Sequence, residues 1–424
     1  MFNKLSPEDV FTPRGKIVNE KMYVHRGSLE KAFEKAIRKH KNIVVHGESG
    51  TGKTWLYRKV FNDLDVYYEV LNSATINQCG SISDALQFLV ARIEPKEKSG
   101  YDETKSAEGN AVVAKGSLEH TSKYSYRSAE SYLHLIRAIR KKAKKRKAFL
   151  VIENLEHIVR SNVMVKELSS LLLYLDDEEY ARNDVRILLV GTPNNLRDYF
   201  SEVDETQTII NRLQEIPEVS ALPKISVEGL ADKGLFRILK LEIVDDSKRN
   251  FTKQYLLNAI SWFSINIPQY VHDICLELAI EAEENYGKIT NSVYVQSLRN
   301  WVQEALVSEN TRLEKNVNSK ETRHGRRNQV IYTAGALPAN EFSNSEIEDA
   351  LRNAFPVSTK GKALNISSNL IELSSGSHPI FIKTPKGNRY RFIDPKVKIM
   401  IRWMLTKAEN ERIVVKKFDD GIKF

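Results

Sequence analysis

Cysteine is nearly missing from this chain. Cys79 and Cys275 are the only two, far apart and in no CxxC pair. That excludes a disulfide scaffold and a thiolate zinc site, and it fits a reducing compartment. Long apolar runs are missing as well. No stretch approaches the ~18 consecutive apolar residues of a membrane span, and the start, Met1-Phe2-Asn3-Lys4, is no apolar signal core. The expectation is a soluble, cytoplasmic protein with no membrane partner. An Asn-Lys-x-Asp guanine motif is also lacking, which argues against a small GTPase, and no second catalytic constellation suggests a kinase. Positive charge, by contrast, is in excess: Lys and Arg number 64 against 55 Asp and Glu, for a net charge of +9. That balance favours an acidic partner such as nucleic acid, and it equally fits a merely soluble surface. A length of 424 residues suggests two or three domains, each able to bury a core.

The most informative stretch runs from Ile43 to Thr54. A short apolar run, Ile43-Val44-Val45, is followed by Gly47-Glu48-Ser49-Gly50-Thr51-Gly52-Lys53-Thr54. The spacing G-x-x-x-x-G-K-T is that of the phosphate-binding P-loop. Glycines let backbone N–H groups approach phosphate oxygens closely. Lys53 has the reach for the β- and γ-phosphates, and the Thr54 hydroxyl is a hard ligand for Mg²⁺. A helix from about Thr54 to Phe61 turns its positive end to the anion. The expected ligands are ATP and Mg²⁺.

A second apolar run, Ala148-Phe149-Leu150-Val151-Ile152, ends in Glu153. A buried strand that presents an acid at its C-terminal end is the Walker B pattern, which places a carboxylate beside Mg²⁺. Asp65–Leu71 and Val185–Thr192 read as further strands, the latter ending in polar Thr192-Pro193-Asn194, and Ile225–Val227 as a last short one. Strands alternate with helices, so the fold class is an α/β P-loop NTPase with a parallel, doubly wound sheet. One more strand is expected between the P-loop strand and the Walker B strand. Residues 94–127 are rich in Lys, Glu, Ser and Gly and read as an inserted loop. The basic run Arg140–Lys147 reads either as a solvated helix end or as a nucleic-acid contact.

Residues 1–22 read as an N-terminal arm, ordered or a tail, and 23–228 as the ATPase core. From 229 to 308 the periodicity is wholly helical, which suggests a lid. Residues 309–327 are polar and basic, as a linker would be. In 328–424, three helices precede a hairpin formed by Ile380–Lys383 and Arg389–Ile393 around a Pro385–Asn388 turn. Helix–helix–helix–hairpin is the winged-helix order. Lys383, Lys386, Arg389 and Arg391 would decorate the wing, well away from the P-loop, and suit the phosphates of double-stranded DNA. The alternative is a purely protein-binding surface.

Together, these features resemble the AAA+ ATPases, and most closely their origin-recognition-like (Orc-like) branch. The resemblance covers roughly Tyr23 to the C-terminus. It implies ATP bound by residues Gly47 to Thr54, with Tyr23 and Val24 in the family's nucleotide-edge segment Tyr23-Val24-His25-Arg26. It implies Mg²⁺ at Thr54 and Glu153. Asn154 stands where the family usually has its water-activating Glu, and Glu156 is a candidate substitute or a solvent-facing helix acid. Thr192 or Asn194 matches the polar sensor. Arg212 matches the arginine finger offered to a neighbouring subunit, or is a plain surface arginine. Asn266-Ile267-Pro268-Gln269 resembles the lid's Gly-x-Pro-Arg sensor, with Gln269 replacing the arginine. The resemblance implies an ATPase whose nucleotide state controls homo-oligomeric assembly on DNA. The alternative is a nucleotide-gated scaffold that recruits or restrains a separate effector protein, as in bacterial anti-phage defence. A remodelling motor would need pore-loop aromatics, for which there is no good candidate.

Overall fold

Five parallel strands position everything else. They are β1 (Asn42–His46), β2 (Tyr67–Asn72), β3 (Ala148–Glu153), β4 (Val185–Gly191) and β5 (Leu213–Glu215), in the order β2-β3-β4-β1-β5. This computed structural model describes residues 5–94, 119–158, 161–191, 211–317, 325–384 and 388–418, the side chains of 119–129 excepted. β4 lies between the P-loop strand β1 and the Walker B strand β3, as anticipated. Register fixes the consequence. Val45 of β1 and Glu153 of β3 both stand opposite Val190 of β4, so the P-loop and the Walker B acid emerge at the same level of one sheet end.

β1, β3 and β4 are continuous apolar runs because both sheet faces are covered. On one face Phe33 and Ile37 of the helix Ser28–Arg38, and Tyr57 and Phe61 of the P-loop helix Lys53–Asp63, pack on Ile43, Val45 and Phe149. On the other, helices Ile82–Ile93, Glu119–Ala143 and Asn162–Tyr174 pack on Leu150, Ile152 and Leu189. Side-chain caps start two of these helices, Ile82–Ile93 and Asn162–Tyr174. Ser81 Oγ accepts the Asp84 N–H at 3.1 Å, for example.

The strand expected at Ile225–Val227 is instead part of a helix, Lys224–Asp232, and the fifth strand is β5. Two β-branched residues suggested a strand, but spacing decides otherwise. Val227, Leu230 and Ala231 share the buried helical face, while Ile225 is 78% exposed. The wholly helical pattern expected from 229 to 308 is interrupted: a π-helical turn ends at Ile238, and Glu242–Ile243 forms β6, paired in parallel with β7 (Lys288–Ile289). Helices Lys253–Phe263, Pro268–Glu284 and Asn291–Ala305 complete the lid.

The stretch expected as a linker begins as a helix, Val307–Glu314, with Leu313 buried and Arg312 Nη1 donating to the Pro379 carbonyl at 2.7 Å. Beyond it come helix Arg326–Ala336, β8 (Glu341–Ser343), helices Asn344–Ala354 and Ile366–Leu373, β9 (Phe381–Lys383), β10 (Arg389–Phe392) and helix Pro395–Met404. The strands form an antiparallel sheet in the order β8-β10-β9. This unit shares one continuous apolar core with the lid. Phe263 meets Trp403 edge to face at 6.4 Å, and the Arg402 guanidinium lies 3.6 Å over the Trp262 ring. Val10, Phe11 and Met22 of the N-terminal segment are buried in that same core. Among the described residues, no helix is long and apolar enough to cross a membrane.

Candidate active site

The P-loop backbone is shaped by its glycines. A Cβ on Gly47 would stand 2.3 Å from the Val219 carbonyl oxygen. Gly50 has φ +79°, a left-handed conformation that side chains rarely adopt, and a Cβ there would press on Ile267 of the lid. A loop that only glycine can make, with its N–H groups turned inward, is the cradle a phosphate needs. Lys53 Nζ lies over the loop and donates to the Gly47 and Glu48 carbonyls, each at 2.8 Å. Burial pulls the Lys53 pKa down, and the surrounding acids, Glu156 first, push it back.

The Walker B acid sits where the register places it. Thr54 Oγ1 donates to Glu153 Oε1 at 3.1 Å, and the Tyr57 hydroxyl donates to the same oxygen at 3.0 Å. A hydroxyl and a carboxylate, both hard oxygen donors, fit a Mg²⁺ that takes its remaining ligands from water and phosphate. Tyr57 carries no motif signature; only its position three residues after Thr54 on the P-loop helix brings it here. Asn154 turns the chain with φ +59° and donates to Asn72 Oδ1 at 3.4 Å. Glu156 faces the same cavity, and its Oε2 is buried without a hydrogen-bond partner among the described residues.

The cavity measures about 490 Å³. Its walls include Gly50, Lys53, Thr54, Glu153 and Glu156 from the core, and Pro268, Gln269 and His272 from the lid. The lid touches the P-loop directly, since the Gln269 N–H donates to the Gly50 carbonyl at 3.2 Å. The remaining wall is unanticipated: it is the N-terminal segment Thr12–Lys16. Tyr23 and Val24 instead border a separate void of about 30 Å³, against Gly52, Trp55 and Pro268. Tyr23 donates to Glu30 at 2.8 Å, and Arg26 braces the loop by donating to the Thr51 carbonyl at 2.5 Å.

Other expected residues are placed differently. Thr192, Asn194 and Lys386 lie outside the described residues, as does most of the inserted loop. Arg212 is off the cavity wall and donates through Nε to Asp176 Oδ2 at 2.6 Å. Two of the four hairpin cations are committed to acids. Arg389 pairs with Glu341 at 2.8 Å and Glu346 at 3.0 Å. Arg391, far from pointing into solvent, is only 15% exposed and pairs with Glu48 of the P-loop at 3.4 Å. The hairpin is therefore not remote from the P-loop. Burial raises the Glu48 carboxyl pKa, and Arg391 opposes that rise. Lys383 remains exposed. In the basic run Arg140–Lys147, Arg140 donates to the Asn183 and Asp184 carbonyls, Arg146 lies 5.2 Å over the Tyr67 ring, and Lys147 donates to the Ile37 carbonyl at 3.3 Å, while Lys142, Lys144 and Lys145 are exposed.

Comparison with known proteins agrees with this architecture. Residues 37–200 match the family model described as an AAA domain. The chain is similar to a Walker-type ATPase of Pyrococcus abyssi at 13% identity, covering 90% of this chain and 96% of that one, with a TM-score of 0.50. It is also similar to the Orc2 protein of Aeropyrum pernix, solved in ADPNP–ADP complexes, at 11% identity, with 89% and 92% covered and a TM-score of 0.50. No curated protein matches the sequence. With a glycine cradle, a Walker B carboxylate on the strand two places away and a helical unit touching the loop, residues 37–200 match an AAA domain and the chain as a whole shares the fold of the Walker-type ATPase and the Orc2 protein.

Proposed function

We propose that this protein hydrolyses ATP and that its nucleotide state controls its assembly and its hold on double-stranded DNA. The observation that carries the hydrolytic part is the meeting of the Thr54 hydroxyl with the Glu153 carboxylate at 3.1 Å beside Lys53. Thr54 and Glu153 would hold Mg²⁺, which supplies charge neutralisation at the phosphates. Lys53 orients the phosphate chain and shields its charge. Glu156, with an unsatisfied carboxylate oxygen on the cavity wall, is the group able to accept a proton from an attacking water. Asn154, bonded to Asn72, orients rather than takes protons.

The controlling part rests on the Arg391–Glu48 pair, which joins the P-loop to the C-terminal sheet. Helix, strand, two helices and a hairpin, with strand order β8-β10-β9, support reading this unit as a winged helix, with Lys383 and Lys386 as its candidate phosphate contacts. Arg212 is the candidate group for a neighbouring subunit's site. The test of hydrolysis is Mg²⁺-dependent ATP turnover of the full chain. Lys53→Ala should lose ATP binding. Glu156→Gln should keep binding and lose about 10²-fold or more in turnover. Wild-type turnover in either variant would contradict the assignment.

A further inference from the structure

Gln269 leaves the lid without a cation at the phosphate end of the cavity. Two cations on the cavity wall come instead from the N-terminal segment: Arg14 and Lys16. That segment is clamped from both sides by groups other than these two side chains. Trp55 Nε1 donates to the Gly15 carbonyl at 2.7 Å and Arg58 donates to the Lys16 carbonyl, which ties the segment to the P-loop helix. The Thr12 N–H donates to His272 Nδ1 at 3.1 Å, which ties it to the lid. Phe11, 1% exposed, packs edge to face on the His272 ring at 5.9 Å.

Neither the Arg14 nor the Lys16 side chain makes a hydrogen bond or ion pair with the described residues. Burial pushes the Asp273 carboxyl up to about 6, and Arg14 is the foremost of the charges that pull it back. Asp273 lies one helical turn after Gln269, so Arg14 stands beside the very turn of the lid that lacks its arginine. A guanidinium with no hydrogen bond or ion pair among the described residues, on a wall shared with Lys53 and Thr54, offers bidentate, charge-assisted hydrogen bonds to phosphate oxygens.

We propose that Arg14 reads the terminal phosphate of a bound nucleoside triphosphate, in place of the lid arginine, with Lys16 as a second phosphate contact. The proposal rests on the reading of this cavity as the ATP site. Because the segment is bonded to both the P-loop helix and the lid, a phosphate held by Arg14 draws these two parts together. A diphosphate lacks the phosphate assigned to Arg14 in this proposal.

The test is calorimetric binding of ATP and of ADP to the full chain, with Mg²⁺, for wild type, Arg14→Ala, Arg14→Lys and the double variant Arg14→Ala/Gln269→Arg. Thermal unfolding midpoints verify that each variant is folded. Arg14→Ala should lose about tenfold in ATP affinity, the worth of one charged hydrogen bond, and change little for ADP. Arg14→Lys should lose less, and Gln269→Arg should restore much of what Arg14→Ala loses. Unchanged ATP affinity in Arg14→Ala, or equal losses for ATP and ADP, would overturn the proposal, as would a double variant no better than the single one. Failure of the wild type to bind either nucleotide would instead overturn the underlying reading of the cavity.

Discussion

Single residues here do their work through partners that lie far away in the chain. His272 is the clearest instance. It is 3% exposed, and its Nδ1 accepts the Thr12 N–H at 3.1 Å, so the ring must be neutral there. Burial lowers its pKa to about 4, from an ordinary 6.5. The sign follows from which state binds more protons. Between pH 6.5 and 4 the unfolded chain protonates this histidine and the folded chain does not, so stability is full above pH 6.5 and is lost as pH falls. Asp273, raised to about 6, works in the opposite sense in part of that range, and its effect is common to wild type and variant. Chemical denaturation at pH 7 and at pH 4.5 should therefore show wild type losing up to about 2–3 kcal/mol more than His272→Gln. Equal losses would mean that this ring is protonated in the folded state.

The two proposed intermolecular roles belong to elements. The short segment holding Arg212 follows the undescribed stretch after β4, and Arg212 is held by Asp176 rather than by its own chain's cavity. A finger that serves a neighbour should leave the monomer's nucleotide affinity nearly unchanged. Arg212→Ala is expected to abolish the part of turnover that rises with protein concentration, an effect of about 10³-fold or more for an arginine finger. Turnover per molecule that is independent of both concentration and this substitution would remove Arg212 from the site. The hairpin is divided in its duties. Arg389 and Arg391 are paired within the chain, which leaves Lys383 and Lys386 as the proposed phosphate contacts. Replacing both lysines with alanine should weaken duplex binding across sequences and flatten its log–log salt slope by about 0.9 per lost contact. A salt titration giving the same slope as wild type would assign the hairpin to a protein partner.

At the scale of the whole molecule, the legible parts were those whose signal is local. The P-loop, the apolar strand ending in Glu153, and the helical lid announce themselves through spacing and periodicity within a dozen residues. β5 is only three residues long, too short for a period, and the β-branched Ile225 and Val227 stood out in its place until helical burial decided the matter. The contacts that complete the cavity were hidden for a different reason. Thr12 meets His272 across 260 positions, and Arg391 meets Glu48 across 343. No local pattern encodes such pairings; they follow from the lid and the C-terminal unit sharing one core with the N-terminal segment.

In the proposed function, nucleotide in the P-loop is coupled through Glu48 and Arg391 to the hairpin proposed to contact DNA. The most direct test is duplex affinity at fixed salt, measured with Mg²⁺–ADP and with a non-hydrolysable ATP analogue, for wild type and Glu48→Gln. Wild type should bind duplex with different affinities in the two nucleotide states, and Glu48→Gln should show a much smaller difference while still binding nucleotide. A wild-type protein whose DNA affinity is the same with either nucleotide, or a Glu48→Gln variant that keeps the full difference, would contradict the coupling.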